Sequence, residues 1–166
     1  MPDFQPILDH FGTYLLVLFR VGGLFLLAPI LSSLTIPTRA KVMLAVCFAG
    51  AIYATTPLAH QRLPEIDPIG YIPLLLTETL VGFVLGLLAS LPLMGIQMAG
   101  MIMSHQMGLS LAASYNPEMD TEGDVLAQLL FILGIFTFLA LGGLDVLFSA
   151  LTDTFDVLPV GALGAS

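Results

Sequence analysis

Residues 92–117 read PLMGIQMAGMIMSHQMGLSLAASYNP, and this stretch decides how the fold is interpreted. It is apolar enough to lie at membrane depth, yet it holds more glycine, methionine and polar side chains than an ordinary helix that faces lipid. Polar or irregular backbone at that depth is tolerated only where protein buries it or where it lines a cavity. Methionine adds a deformable apolar surface that can repack around different neighbours. The stretch therefore predicts a kinked, Gly- and Met-rich constriction or plug that faces a pore.

The composition of the whole chain points to a membrane. Of its 166 residues, 57% are hydrophobic and 10% are charged, and the mean hydropathy is +0.99. A soluble all-helical domain of this length needs a polar face on every helix, which so few charges cannot supply. The formal net charge of −8 comes from acidic residues in short loops, and no basic run supports nucleic-acid binding. We therefore expect an all-α protein that lies in membrane lipid and binds no nucleic acid.

Four apolar segments predict the helices, at about 11–31, 42–59, 71–103 and 125–151. The first, second and last approach the roughly 20 residues that a helix needs to cross a bilayer. The third is too long for one crossing and contains Pro92 and Gly95. It is either a long kinked helix or a helical hairpin broken near 90–95, and the placement of the few charges favours the hairpin. A multi-pass protein built from helical hairpins is the prediction.

Charges and turn signals place the ends of these segments. Arg39 and Lys41 lie in the basic loop that the positive-inside rule assigns to the cytoplasm, with the N-terminus and loop 60–70 on the other side. The residues TEGD at 121–124 match a capping box at the start of the last apolar segment. The pair Gly142–Gly143 is expected to bend that helix or to end its first half.

Arg20 is the most unusual charge, because it lies in the middle of the apolar stretch FGTYLLVLFRVGGLFLLAPIL. A cation near the bilayer centre costs about 2.5–3.5 kcal/mol on insertion scales, so its side chain should face protein or water. Glu78 and Asp145 are the candidate partners for a buried pair. Two other interpretations stay open: an arginine that snorkels from a shallower helix, and a proton relay formed by the two acids.

Two further patterns concern packing and chemistry. Gly82 and Gly86 form a small-xxx-small pattern, which lets two helices approach closely, and a packing role is the prediction.

The three histidines are scattered without metal-ligand spacing, and neither a phosphate-binding loop nor a nucleophile elbow is present. Oxygen side chains alternate through 116–124, but the glycine and the twelfth acidic ligand of a calcium loop are missing. The sequence predicts no enzyme, no metal and no cofactor.

Four stretches, in order along the chain, resemble the R-subunit family of the flagellar type III export gate, often called the FliR family. LFRVGGLFLLAPILSSLTIPTRAKVMLAV at 18–46 is similar to its opening segment, and ETLVGFVLG at 78–86 to the next motif. AGMIMSHQMGLSLAASYNP at 99–117 resembles its most specific motif, although the family commonly has Asp-Pro where Asn116 precedes Pro117. DTFDVLPVG at 153–161 resembles the segment that closes its first half.

The resemblance implies a non-enzymatic structural subunit of a helical gate in the bacterial inner membrane. Family members join P-type and Q-type subunits and other membrane proteins of the apparatus, and unfolded rod, hook and filament proteins cross through the gate. The R subunit is similar to a P-type part followed by a Q-type part. Because the chain stops at Ser166, we expect 1–166 to form a single P-like helical membrane domain without the Q-like half. An injectisome counterpart is the related alternative.

The resemblance also implies where the plug of the closed channel lies. Carried over by motif, the plug runs from Gln106 to Pro117. Its predicted gate residues are Gln106, Met107, Gly108, Leu109, Ser110, Asn116 and Pro117. Met101 and Met103, together with Met107, are expected to seal loosely around it like a gasket. The rival functions are a small transporter or ion channel with a midplane site of Arg20, Glu78 and Asp145, and an assembly factor without a pore.

Overall fold

The computed structural model describes residues 5–32, 36–56, 70–108 and 125–162, with side chains described from residue 11 onward. Within these ranges the chain forms five helices and no strand. The helices are α1 (Gln5–Leu27), α2 (Thr38–Thr55), α3 (Tyr71–Gln106), α4 (Val125–Ala140) and α5 (Gly143–Val157). The predicted all-α class is therefore confirmed for the described residues. The capping residues 121–124 lie outside them, and α4 begins directly afterwards.

The third apolar segment is one continuous helix of 36 residues, with Pro92 in its interior. The hairpin break predicted near 90–95 is therefore wrong. Proline removes one backbone hydrogen bond from a helix, but apolar surroundings strongly favour continued pairing of the remaining backbone groups. Long apolar helices of membrane proteins tolerate an internal proline for this reason.

The last apolar segment is interrupted, as its two adjacent glycines predicted. Helix α4 ends at Ala140 and α5 begins at Gly143. Gly142 has a φ of 73°, a left-handed conformation that glycine adopts without steric penalty. The amide of Gly142 donates to the carbonyl oxygen of Leu139 at 3.0 Å, which closes the last turn of α4.

The chain divides into two compact units. Unit 1 comprises 1–87 and 145–166, and unit 2 comprises 88–144. In unit 1, α1 packs on α2 through an edge-to-face pair of Tyr14 and Tyr53, whose ring centroids are 5.9 Å apart. Helix α5 packs on α2 through stacked rings of Phe48 and Phe148, 4.3 Å apart.

Unit 2 contains an antiparallel helical hairpin made of the second half of α3 and of α4. A Cβ atom added at Gly100 would lie 2.6 Å from Cα of Ala127, and one added at Gly134 would lie 3.0 Å from Cδ2 of Leu93. Later residues of α3 therefore meet earlier residues of α4. This hairpin is not the one predicted from the sequence, since its two arms are α3 and α4 and α3 is unbroken at 90–95.

One described helix, α3, is long and apolar enough to cross a membrane by length and composition. Helices α4 and α5 pass the same test only when taken together as one broken span. In α1 the apolar part, Phe11–Leu27, is shorter than a full span. The described helices thus fit a membrane protein, with α3 as the clear crossing helix.

Candidate functional site

Arg20 lies on the buried face of α1. The side chains that share this face recur every three or four residues and are at most 2% exposed: Thr13, Leu16, Val17, Arg20, Val21 and Leu24, with Ala28 directly after the helix. Arg20 is the largest of them and is 1% exposed. A guanidinium in such surroundings is stable only when its charge is paired and its N–H groups are hydrogen-bonded.

Glu78 on α3 supplies the charge partner. Nε of Arg20 donates to Oε2 of Glu78 at 2.5 Å, and the carboxylate is buried as well. The other carboxylate oxygen, Oε1, accepts a hydrogen bond from the backbone amide of Gly161 at 2.9 Å. Each oxygen of the acid therefore has its own donor, from residues far apart in the sequence.

The remaining contacts of Arg20 come from α5 and from the turn that follows it. Nη1 donates to Oγ1 of Thr154 at 3.2 Å, and Nη2 donates to the carbonyl oxygen of Leu158 at 3.1 Å. The guanidinium carbon lies 4.2 Å from the ring centroid of Phe155, a cation–π distance. We call these six residues the Arg20 network: Arg20, Glu78, Thr154, Phe155, Leu158 and Gly161.

The network shows which of the charged residues predicted for a buried ion pair are in contact. The structure brings Arg20 and Glu78 together, whereas Asp145 is exposed in the first turn of α5. Asp145 makes no hydrogen bond or ion pair with the described residues, so it is not the partner of Arg20. A charge pair that is buried and satisfied in this way holds helices together and leaves little capacity for a transported ion.

Helices α1 and α3 run parallel and approach each other at glycines. A Cβ atom added at Gly82 would overlap the carbonyl oxygen of Arg20, and one added at Gly86 would lie 2.7 Å from the carbonyl oxygen of Leu24. From α1, a Cβ at Gly23 would overlap the carbonyl oxygen of Thr79. The predicted small-xxx-small pattern thus lies against α1 within the same chain, where no larger residue fits.

The methionine-rich end of α3 belongs to unit 2 and is exposed. Met101, Met103 and Met107 are 45%, 51% and 68% exposed. Gln106 is the last helical residue, and Gly108 follows with a φ of 71°. The predicted gate residues Leu109, Ser110, Asn116 and Pro117 lie outside the described residues. The structure therefore places only the first three gate residues, at the end of one arm of the hairpin.

Sequence reasoning from charge and periodicity missed four members of the Arg20 network. Thr154, Phe155, Leu158 and Gly161 carry no unusual sequence signal of their own, and two of them contribute only backbone atoms. The signal that could have found them is the motif DTFDVLPVG at 153–161, which contains all four. The motifs at 18–46 and 78–86 contain Arg20 and Glu78, so three of the four family motifs meet in this network.

Comparison with known proteins agrees with the motifs. The family model for bacterial export proteins, family 1, matches residues 11–166. The flagellar biosynthetic protein FliR of Escherichia coli (strain K12) is 33% identical over 93% of this chain and 58% of its own length. FliR of Bacillus subtilis (strain 168) is 26% identical, over 94% and 59%. Yop proteins translocation protein T of Yersinia pestis is 29% identical, over 90% and 57%.

This chain thus spans a little more than half the length of the relatives it matches. The match nevertheless covers the buried network, the glycine contacts and the methionine-rich end of α3, since all lie within 11–166. The resemblance drawn from the four motifs is confirmed. The chain belongs to the family of bacterial export proteins, family 1, which includes the FliR proteins.

Proposed function

We propose that this chain is a structural, non-enzymatic subunit of a bacterial protein export apparatus in the inner membrane. The observation that carries the proposal is the family match over residues 11–166. Relatives named for flagellar biosynthesis and for translocation of Yop proteins both align with it. The proposed partners are P-type and Q-type gate subunits, and the proposed cargo is an unfolded exported protein.

The proposed topology is multi-pass and starts from the parallel arrangement of α1 and α3. A Cβ added at Gly12 would lie 3.3 Å from the hydroxyl of Tyr71, so the starts of α1 and α3 are neighbours. This agrees with placing the N-terminus and loop 60–70 on one side of the membrane. Arg39 and Lys41, which the structure places in the first turn of α2 and not in a loop, then lie on the cytoplasmic side.

The proposed plug runs from Gln106 to Pro117. Its support is its position in unit 2, because it begins where α3 ends and connects the two arms of an antiparallel hairpin. The exposed methionines Met101, Met103 and Met107 precede or begin it. Thioether side chains seal by adaptable apolar contact, so an extended polypeptide can displace them without breaking strong specific bonds.

Two experiments test these proposals separately. Co-expression with P-type and Q-type subunits, followed by native mass spectrometry, should yield a complex with one copy of this chain. A folded chain that never joins P-type subunits would contradict the role in the gate. For the plug, deletion of 110–116 in a complete gate should make the membrane leaky to small solutes. Deletion of 60–66, an equal length in another loop, is the control, and equal leakage from both would refute the plug.

The rival transporter function would need an open charged site. Arg20 and Glu78 bind each other in a buried network, and Asp145 is exposed elsewhere, so no observation favours it over the export role. Flux assays on liposomes that contain the purified chain alone separate the two functions. An export subunit should be inert without its partners, whereas a transporter should move solute or ions.

A further inference from the structure

The Arg20 network joins two parts of unit 1 that are far apart in the sequence. Arg20 on α1 and Glu78 on α3 form the ion pair, and both belong to the part that ends at residue 87. Every other group of the network comes from the part that starts at residue 145. These groups are the hydroxyl of Thr154, the ring of Phe155, the carbonyl of Leu158 and the amide of Gly161.

The part that starts at residue 145 matters because it supplies the remaining hydrogen-bond partners of both charged side chains. Without it, Arg20 loses two acceptors and an aromatic face, and Glu78 loses the donor on Oε1. Buried charges that lose hydrogen bonds are destabilised strongly, because no water replaces the lost partners in an apolar interior. Docking of this segment therefore stabilises the two charges that are buried between α1 and α3.

A groove lies beside the network. It has a volume of about 370 Å³, is open to the surface and runs between α3 and the end of α5. It is lined by Thr77, Leu80, Val81, Val84, Leu85, Thr154 and Leu158. Thr154 and Leu158 line this groove, and each supplies an oxygen that accepts a hydrogen bond from Arg20. The start of α5 is held differently, through the ring stack of Phe148 on Phe48.

We propose that residues 154–161 form a latch, and that the buried ion pair makes closure of unit 1 conditional on its docking. Releasing the latch opens the contact between α1 and α3, although α5 remains held at its start. A consequence is that α1 and α3 pack stably only after the chain has been synthesised through Gly161. The latch is a property of the fold and does not depend on the proposed export role.

Two substitutions release the latch without removing its apolar side chains. Gly161→Pro removes the N–H that Glu78 accepts, and proline cannot adopt the φ of 79° found at this position. Thr154→Val removes the acceptor of Arg20 at nearly constant shape, and Thr154→Ser, which keeps the hydroxyl, is its matched control. The reporter is the thiol-labelling rate of Val21→Cys, a fully buried α1 position, in a Cys47→Ser background.

In the full-length chain, Gly161→Pro and Thr154→Val should each raise the labelling rate at position 21 about tenfold or more, and Thr154→Ser should not. Met43→Cys, which is exposed, should label rapidly in every variant. The decisive comparison repeats Thr154→Val, which leaves the backbone unchanged, in an Arg20→Met/Glu78→Leu background. There the labelling rate should change by no more than about twofold, because no charge needs the latch.

Each other outcome overturns the latch. An equal rise in both backgrounds would mean that residues 154–161 act through packing alone, and no rise in either would mean that the pair does not need them. Should the apolar double variant fail to fold, Thr154→Val and Thr154→Ser in the native background decide the question. Equal labelling rates for those two variants would refute the proposal.

Discussion

Gly22 and Gly23 are adjacent residues of α1. Replacing each with alanine gives a matched pair of variants that tests how closely α1 approaches α3. A Cβ at Gly22 meets nothing within 4 Å. A Cβ at Gly23 would overlap the carbonyl oxygen of Thr79 and lie 3.0 Å from the amide nitrogen of Phe83. Gly22→Ala should therefore stabilise the protein, and Gly23→Ala should destabilise it.

The magnitude follows from two terms. Alanine is better than glycine in a helix interior by about 0.8–1.0 kcal/mol, and this gain applies to both variants of α1. Overpacking adds about 1–3 kcal/mol of destabilisation for Gly23→Ala alone. The contact is with backbone atoms, which cannot rotate away, so the upper end of that range applies. We expect the free energy of unfolding to rise by about 0.8 kcal/mol for Gly22→Ala and to fall by roughly 2 kcal/mol for Gly23→Ala.

The assay is equilibrium unfolding in detergent micelles, followed by helical circular dichroism during titration with a denaturing detergent. Equal helix content before the transition shows that both variants start from the native fold. Shifts of the same sign and size for the two alanine variants would refute the reasoning. Such a result would mean that α3 does not approach the backbone of α1 at Gly23.

Two further predictions use the same unfolding titration. Arg20→Met alone should lower the free energy of unfolding by about 3–5 kcal/mol, because Glu78 stays buried without its cation, and adding Glu78→Leu should recover most of the loss. A double variant no more stable than the single one would contradict the buried pair. In unit 2, Gly100→Ala should destabilise the hairpin by roughly 2 kcal/mol, from the same two opposing terms, whereas Gly95→Ala, which meets nothing within 4 Å, should stabilise it. Equal effects of these two substitutions would show that α3 and α4 do not touch at Gly100.

Much of the fold was predictable because its signals are local. Apolar length and few charges indicated helices in a membrane, and Gly142–Gly143 indicated the break between α4 and α5. The hairpin near 90–95 was predicted wrongly, because the placement of a few charges was taken to favour a break at Pro92 over a long helix. In an apolar helix the energetic need to keep backbone hydrogen bonds outweighs the single bond that Pro92 removes.

The candidate sites were predictable to different degrees. The need of Arg20 for a partner was evident from its own segment, and the motifs contained every member of the network. Charge and periodicity gave no indication that the backbone carbonyl of Leu158 and the backbone amide of Gly161 would hydrogen-bond to this ion pair. The backbone conformation of Ile30 was not indicated by the sequence either. Its φ of 71° is rare for a β-branched residue, and no glycine marks the position. The plug, Gln106–Pro117, stays a prediction beyond Gly108.

The sequence by itself determined the class of this protein: an all-α, membrane-compatible chain of the bacterial export protein family, with a buried cation that must be paired. Desolvation cost and helix propensity act within one segment, so they can be evaluated from that segment alone. Only the tertiary structure decided that Glu78 and not Asp145 pairs with Arg20, across 58 residues of chain. It also decided that Gly82 and Gly86 pack on α1 of the same chain. Both depend on how the helices cross, which is set by contacts summed over the whole of unit 1.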